Sequence, residues 1–164
     1  MMNKIRGYKA FNNMSDRYSD RYGNTYELNK DYHADGKIKW QENGFHFCKN
    51  LEDVFRYYDG FDENTVVCMV EGSGIVFTYY DDYAEYYDMY VSSDIRILKE
   101  LSREEIINSV LHKNIFSIQR LVSGYKLTDD EINIILENSD SRFIKPYVDY
   151  YQKNDKEAFQ RKRR

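Results

Sequence analysis

The sequence predicts an α+β protein: a small, mostly antiparallel sheet with one helix, followed by two helical hairpins. Three observations carry this. Residues 1–100 have the β-branched, aromatic and turn-rich texture of short strands. Residues 101–152 hold a repeat of 26 residues in which each unit opens with a capping box. Charge and aromatic content change at the same place: residues 1–100 carry 12 Lys and Arg against 18 Asp and Glu, net −6, and 13 of the 17 tyrosines, whereas the remainder is net +2. The boundary therefore falls near Leu98–Leu101, giving an acidic α+β part at 1–100, two helix pairs at 101–152 and a basic tail or partial third repeat at 153–164. A chain of 164 residues buries one good core and excludes two large domains.

In chain order, strands are expected at Ile5–Phe11, Lys37–Trp40, Gly44–Cys48, Thr65–Glu71, Ile75–Tyr80, Tyr86–Tyr90 and Asp94–Leu98. The polar stretch Asn12–Asp35 reads as a long loop. Asn50-Leu-Glu-Asp53 places an N-cap and an acid ahead of Leu51, Val54, Phe55 and Tyr58 at helical spacing. Gly72-Ser-Gly74 reads as a hairpin turn, since no helix start follows it to bind a phosphate.

In the repeat, Ser102 with Glu105 and Thr128 with Glu131 form the two boxes, and Ile106, Val110, Ile118 and Val122 lie over Ile132, Leu136, Ile144 and Val148. Gly124 has the place of a left-handed helix end. Pro146 is expected in or near the first turn of its helix, where a missing amide costs least. Asn154-Asp-Lys-Glu157 looks like a third start that runs into the basic end.

Function classes narrow by exclusion. No apolar run approaches the ~20 residues needed to span a bilayer, and the opening MMNKIRGYKAFNN has no apolar stretch of a signal. The expectation is a cytoplasmic protein with no membrane partner. Cys48 and Cys68 sit in apolar runs, as buried thiols of a reducing compartment do, and no His or Cys spacing suggests a metal. The acidic turns at Asp59, Asp62, Glu63, Asp81, Asp82 and Glu85 match no standard calcium loop. A net charge of −6 beside the basic tail disfavours duplex nucleic acid. No GxGxxG, P-loop, GxSxG or HExxH occurs.

Among the histidines, His46 stands out. Strand alternation puts Phe45 and Phe47 on one face and His46 on the other with Gly44 and Cys48. There it serves either as a general base or as a hydrogen-bond partner of a neighbouring loop. His112 ends a helix, where a cation suits the dipole.

Gly7-Tyr-Lys-Ala-Phe11, Asn43-Gly-Phe-His-Phe-Cys48, Leu51-Glu-Asp-Val-Phe-Arg-Tyr-Tyr58 and Ser93-Asp-Ile-Arg-Ile97 together resemble an uncharacterised domain family of bacteria, phages and large viruses. The resemblance covers about residues 5–101 and brings no activity with it. More distantly, Gly44-Phe-His-Phe-Cys48, the paired Tyr57 and Tyr58, and a later Glu85, or less well Glu71, resemble the order of elements in ADP-ribosyltransferases. That resemblance implies NAD as cofactor, a tyrosine stacked on nicotinamide and Glu85 on the ribose. The first strand departs from it, with Tyr8 and Lys9 where a His or Arg is usual and Arg6 close by.

Two functions follow. The first is a non-catalytic binding module without a cofactor, of phage or viral type, offering a tyrosine-rich surface or pocket to a protein or small ligand through Arg6, Tyr8, Lys9 and Phe47. The second is a transferase using His46, Tyr57, Tyr58 and Glu85.

Overall fold

The computed structural model describes residues 3–58, 61–80, 88–113 and 115–153. It is α+β, with an antiparallel sheet rolled into a small barrel and helices packed on one side. The sheet strands are β1 (Ile5–Asn13), β2 (Tyr18–Ser19), β3 (Thr25–Tyr26), β4 (Asp31–His33), β5 (Phe45–Cys48), β6 (Thr65–Tyr80) and β7 (Asp88–Glu100). Helix α1 (Leu51–Tyr57) lies between β5 and β6, and α2 (Arg103–Val110), α3 (Ile115–Gly124), α4 (Asp129–Glu137) and α5 (Ser141–Val148) follow the sheet.

Strands β1, β6, β7 and β5 form a closed ring. Pairing is extensive between β1 and β6, from Ile5↔Gly72 to Asn12↔Thr65, and between β6 and β7. The ring closes between β1 and β5 at a single residue pair, Tyr8↔Cys48. Beyond that pair β1 runs on to meet β2 through Asn12↔Ser19, so the two closing strands part.

Alternation along β1 and β5 sorts side chains to two cores. Phe11, Phe47, Cys68, Val70, Ile95 and Ile97 fill the ring with Tyr26. Ala10, Cys48 and Val67 face the helices, where they join Val54, Phe55, Val110, Leu121, Ile135, Ile144 and Val148 in one continuous cluster. Phe47 reaches the ring's centre because two glycines leave room. A Cβ at Gly7 would lie 2.6 Å from the Phe47 ring, and one at Gly72 would lie 2.5 Å from it.

Several expectations are corrected. Gly72-Ser-Gly74 makes no hairpin: β6 runs straight through it with a bulge between Ser73 and Val76, because β7 pairs with it on both sides of the irregularity. Gly74 has φ +73°, and the Ser93 hydroxyl accepts the Ile75 amide at 2.9 Å. The strands expected at Ile75–Tyr80 and Asp94–Leu98 thus belong to two long ribbons, and the stretch expected at Tyr86–Tyr90 enters the described residues only from 88.

Lys37–Trp40 is a turn rather than a strand, folded back by mutual hydrogen bonds between the Lys39 and Asn43 backbones at 2.9 and 3.0 Å. Conversely, the expected loop Asn12–Asp35 contains β2, β3 and β4, whose aromatic residues Tyr18, Tyr26 and Tyr32 pack into or against the ring core.

Both capping boxes form, with the Glu105 and Glu131 amides donating to Ser102 Oγ at 3.1 Å and Thr128 Oγ1 at 3.2 Å. Asn50 caps α1 without a side-chain bond to a helix amide. Gly124 is not left-handed. It is needed because a Cβ there would stand 2.8 Å from Phe61 Cβ, and the left-handed residue of the repeat is His112 at φ +63°. Pro146 is the sixth residue of α5 rather than in its first turn, and a π-helical turn at Asp149–Lys153 follows. The third start at 154–157 and the acidic residues 81–87, Glu85 among them, lie outside the described residues. No described helix is long and apolar enough to cross a membrane.

Candidate functional site

Where β1 and β5 part, the wall of the ring opens into a cleft of about 1230 Å³. This exceeds the ~300–1,000 Å³ usual for small-ligand sites. Its floor is β1 with Tyr8, Lys9 and Ala10; its walls are β5 with His46, the turn at Trp40–Gly44, and the last turn of α1 with Tyr57 and Tyr58. The β2–β3 connection, Asp20–Asn24, forms the lip.

Lys9 crosses the gap between the parted strands. Its Nζ donates to the His46 carbonyl at 2.7 Å and stands 5.9 Å from the Phe11 ring centre. Burial lowers its pKa from the ordinary ammonium value; the Asp20 carboxylate opposes the shift and Arg21 adds to it.

The His46 ring lies on the opposite strand face from Phe45 and Phe47, as alternation requires. Its Nε2 accepts the Gln41 amide at 2.9 Å, and the Trp40 ring meets it edge-on with centres 5.0 Å apart. An accepting Nε2 fixes the neutral tautomer with the proton on Nδ1. Burial, then the charge of Lys9, holds its pKa below the ordinary imidazole value, against a hydrogen bond with the Gly44 backbone. Between base and loop partner, the geometry has His46 bonded to the Trp40–Gly44 turn.

The lip is built by Asp20. Its Oδ1 accepts the Tyr22 and Asn24 amides at 2.9 and 3.0 Å, and its Oδ2 accepts the Asn24 side-chain amide and the Tyr26 hydroxyl, both at 2.9 Å. Tyr22, 81% exposed, projects from this turn at the cleft rim. Arg21 donates to the Tyr57 carbonyl at 3.3 Å, spanning from lip to helix end. The Tyr58 hydroxyl donates to Asn12 Oδ1 at 3.0 Å, and burial raises its pKa.

Of the residues singled out from sequence, Tyr8, Lys9, His46, Phe47, Tyr57 and Tyr58 border this one cleft. Phe47 does so from beneath: it is 1% exposed and its ring belongs to the core. Arg6 stands elsewhere, on the exposed side of β1 with Nε 4.0 Å from Glu71. Glu85 lies outside the described residues. The sequence reading missed Asp20, Arg21 and Trp40. An Asp followed by Arg-Tyr-Gly-Asn is an Asx-turn pattern, and it was the one signal of the lip in the sequence.

Cys48 and Cys68 are both free and buried; burial pushes the Cys48 thiol up to about 12, so it is no nucleophile. Among the described residues no three His, Cys, Asp or Glu side chains come together as metal ligands do.

Comparison with known proteins adds one match. No curated protein and no solved structure matches the chain. A family model described as a domain of unknown function matches residues 5–109, which spans the whole barrel, α1, most of α2 and every wall of the cleft. The chain therefore belongs to the DUF7666 domain family.

Proposed function

We propose that this protein is a non-catalytic binding module whose ligand site is the cleft between β1, β5 and the end of α1. One observation carries the reading: the cleft gathers Tyr8, Tyr22, Trp40, Tyr57 and Tyr58 with a lysine that has no carboxylate at ion-pair distance among the described residues. Aromatic side chains offer flat apolar area with little entropy to lose, and a few fixed polar groups orient what binds. The groups that could drive a reaction are otherwise engaged: His46 by Gln41, Asp20 by four donors, the Cys48 thiol by burial.

The test is a screen of small neutral and charged aromatic compounds against the labelled full chain, followed by amide chemical shifts. Saturable shifts centred on Lys9, Trp40 and Tyr57, with the compounds recovered unchanged, are expected. Hits that all map away from the cleft sink the reading.

A transferase is the second reading, and what favours it is that His46, Tyr57 and Tyr58 share one cleft. The position of Arg6 beside Glu71 speaks against it. Release of nicotinamide from NAD, abolished in Tyr57→Ala or Tyr58→Ala, is the outcome that would replace binding with catalysis.

A further inference from the structure

We infer that the ligand of the cleft is a small anion carrying a flat ring, of the nucleoside phosphate class, with its anionic end at Lys9 and Arg21; this rests on the binding reading above. The first argument is a mismatch of charge. The chain is net −4, and basic side chains such as Lys4, Lys30, Lys39 and Arg96 each sit on a carboxylate at 3.0 Å or less. Lys9 and Arg21 do not: among the described residues neither has a carboxylate at ion-pair distance, and their hydrogen bonds go to backbone carbonyls, that of His46 at 2.7 Å and that of Tyr57 at 3.3 Å, with the Phe11 ring 5.9 Å from Lys9 Nζ and Asp20 acting on it only at longer range. An ammonium carries three protons and a guanidinium five, so donors remain over at both.

The second argument is that the carboxylate at the lip and the imidazole of the wall are already engaged within the protein. Both Asp20 oxygens are occupied by four donors, Glu42 is held by Lys39 at 2.8 Å, and His46 Nε2 holds the Gln41 amide. With donors left over at Lys9 and Arg21 and the Asp20 carboxylate and His46 Nε2 already engaged, the cleft favours a ligand that brings acceptors, and a phosphate brings several charge-assisted ones. Burial at the floor sharpens this, because a desolvated cation gains more from an anion than an exposed one does.

The third argument is shape. Inorganic phosphate alone would leave most of about 1230 Å³ unfilled, whereas the indole of Trp40 and the rings of Tyr22, Tyr57 and Tyr58 line the remainder and suit stacking against a base. The negative net charge of the chain disfavours long polyanions, which sense the whole molecule, while a single nucleotide senses the cleft.

The chain has one tryptophan, Trp40, and it lines the cleft, so its fluorescence reports occupancy there without a label. The probes are adenosine 5′-diphosphate, adenosine and inorganic pyrophosphate, titrated into the full chain. Saturable quenching by the diphosphate at least tenfold tighter than by adenosine, weakening as salt is raised, is expected. Lys9→Met should cost the diphosphate at least tenfold and leave adenosine unchanged. Arg21→Ala, at an exposed position that does not threaten the fold, should cost it a few-fold.

Adenosine binding as tightly as the diphosphate overturns the inference while leaving a ring-binding module in place. Diphosphate binding unchanged in both variants overturns it as well. Silence of Trp40 to all three probes also overturns it, and the binding reading then stands or falls by the compound screen alone.

Discussion

At the residue scale, the closure of the ring depends on two missing methyl groups. An alanine Cβ at Gly72 would meet the far end of the Phe47 ring at 2.5 and 2.6 Å, and one at Gly7 would also meet the Cys48 carbonyl oxygen at 2.4 Å. Each substitution should destabilise by about 1–3 kcal/mol, measured as a shift in urea midpoint, because a packed core yields only by straining rotamers. The two separate on a second substitution. Phe47→Leu removes the ring atoms that clash at Gly72, so the pair with Gly72→Ala should cost less than the sum of the singles; with Gly7→Ala it should not, since the obstacle there is backbone at the Tyr8↔Cys48 closure. Two histidines make opposite predictions. A hydrogen bond and the charge of Asp94, with Nδ1 to Oδ1 at 2.8 Å, raise the pKa of His33, so its contribution is full below the unfolded value and fades as pH rises through the folded one. His46, lowered by burial, costs stability as pH falls below its unfolded value. Proton chemical shifts should show His33 titrating above the ordinary imidazole value, returning toward it in Asp94→Asn, and His46 titrating below it. The side His46 faces was legible from alternation alone. That Asp20 would stand across the cleft was not, because segment 20–24 reaches the site only through the pairing of β2 with β1, while the turn holding Trp40 is local to His46 and was hidden by strand-like composition.

At the element scale, what the sequence disclosed was local. Each capping box is a contact across three residues, so Ser102 with Glu105 and Thr128 with Glu131 were readable without knowing what the helices pack on. Ser102→Ala and Thr128→Ala should each lower stability by about 1 kcal/mol. The two boxes are bridged, since Arg103 next to Ser102 pairs with Glu131 of the second box at 3.5 Å, so the double variant should depart from the sum. A strictly additive loss would mean that this bridge carries no coupling and that each first helix folds as its own capped unit. The failures have a common cause. Gly72-Ser-Gly74 carries turn chemistry, yet β7 holds hydrogen-bond register with β6 on both sides of it, and the local preference is absorbed as a bulge. Gly124 likewise has the look of a helix end, and its real constraint is Phe61, a residue far away in the chain. Composition within a window reports propensity; a partner strand or ring decides between turn and bulge, or between cap and close approach.

At the scale of the molecule, the change in charge and tyrosine content near Leu98–Leu101 marks a change of texture, while the core runs across it. Leu101, Ile106 and Val110 share one buried cluster with Ala10, Cys48 and Val67 of the sheet and with Ile144 and Val148 at the far helix. Specific bonds stitch the same seam: Ser117 Oγ donates to the Glu52 carbonyl at 3.0 Å, and the Tyr125 hydroxyl to the Thr65 carbonyl at 3.0 Å. Gln152 bonds back to the Tyr125 carbonyl at 2.8 Å and accepts the Leu127 amide at 2.9 Å, which fastens the π-helical turn to the loop between α3 and α4. Removing the helical part would expose the apolar sides of Phe55, Phe61 and Val67 to water, at roughly 25 cal/mol per Å² of apolar surface. The two textures should therefore unfold as one body. Trp40 reports the cleft side of the sheet, whereas the far-ultraviolet helical signal comes mainly from α2 to α5, so the two probes view opposite parts of the chain. In urea their transitions should coincide within error, as one cooperative unit requires. Ile144→Ala, buried in the last helix, should shift both by the same amount, about 2–5 kcal/mol. A Trp40 transition left in place while the helical signal moves would show instead that the barrel stands alone, and that the helices are a separate attachment to it.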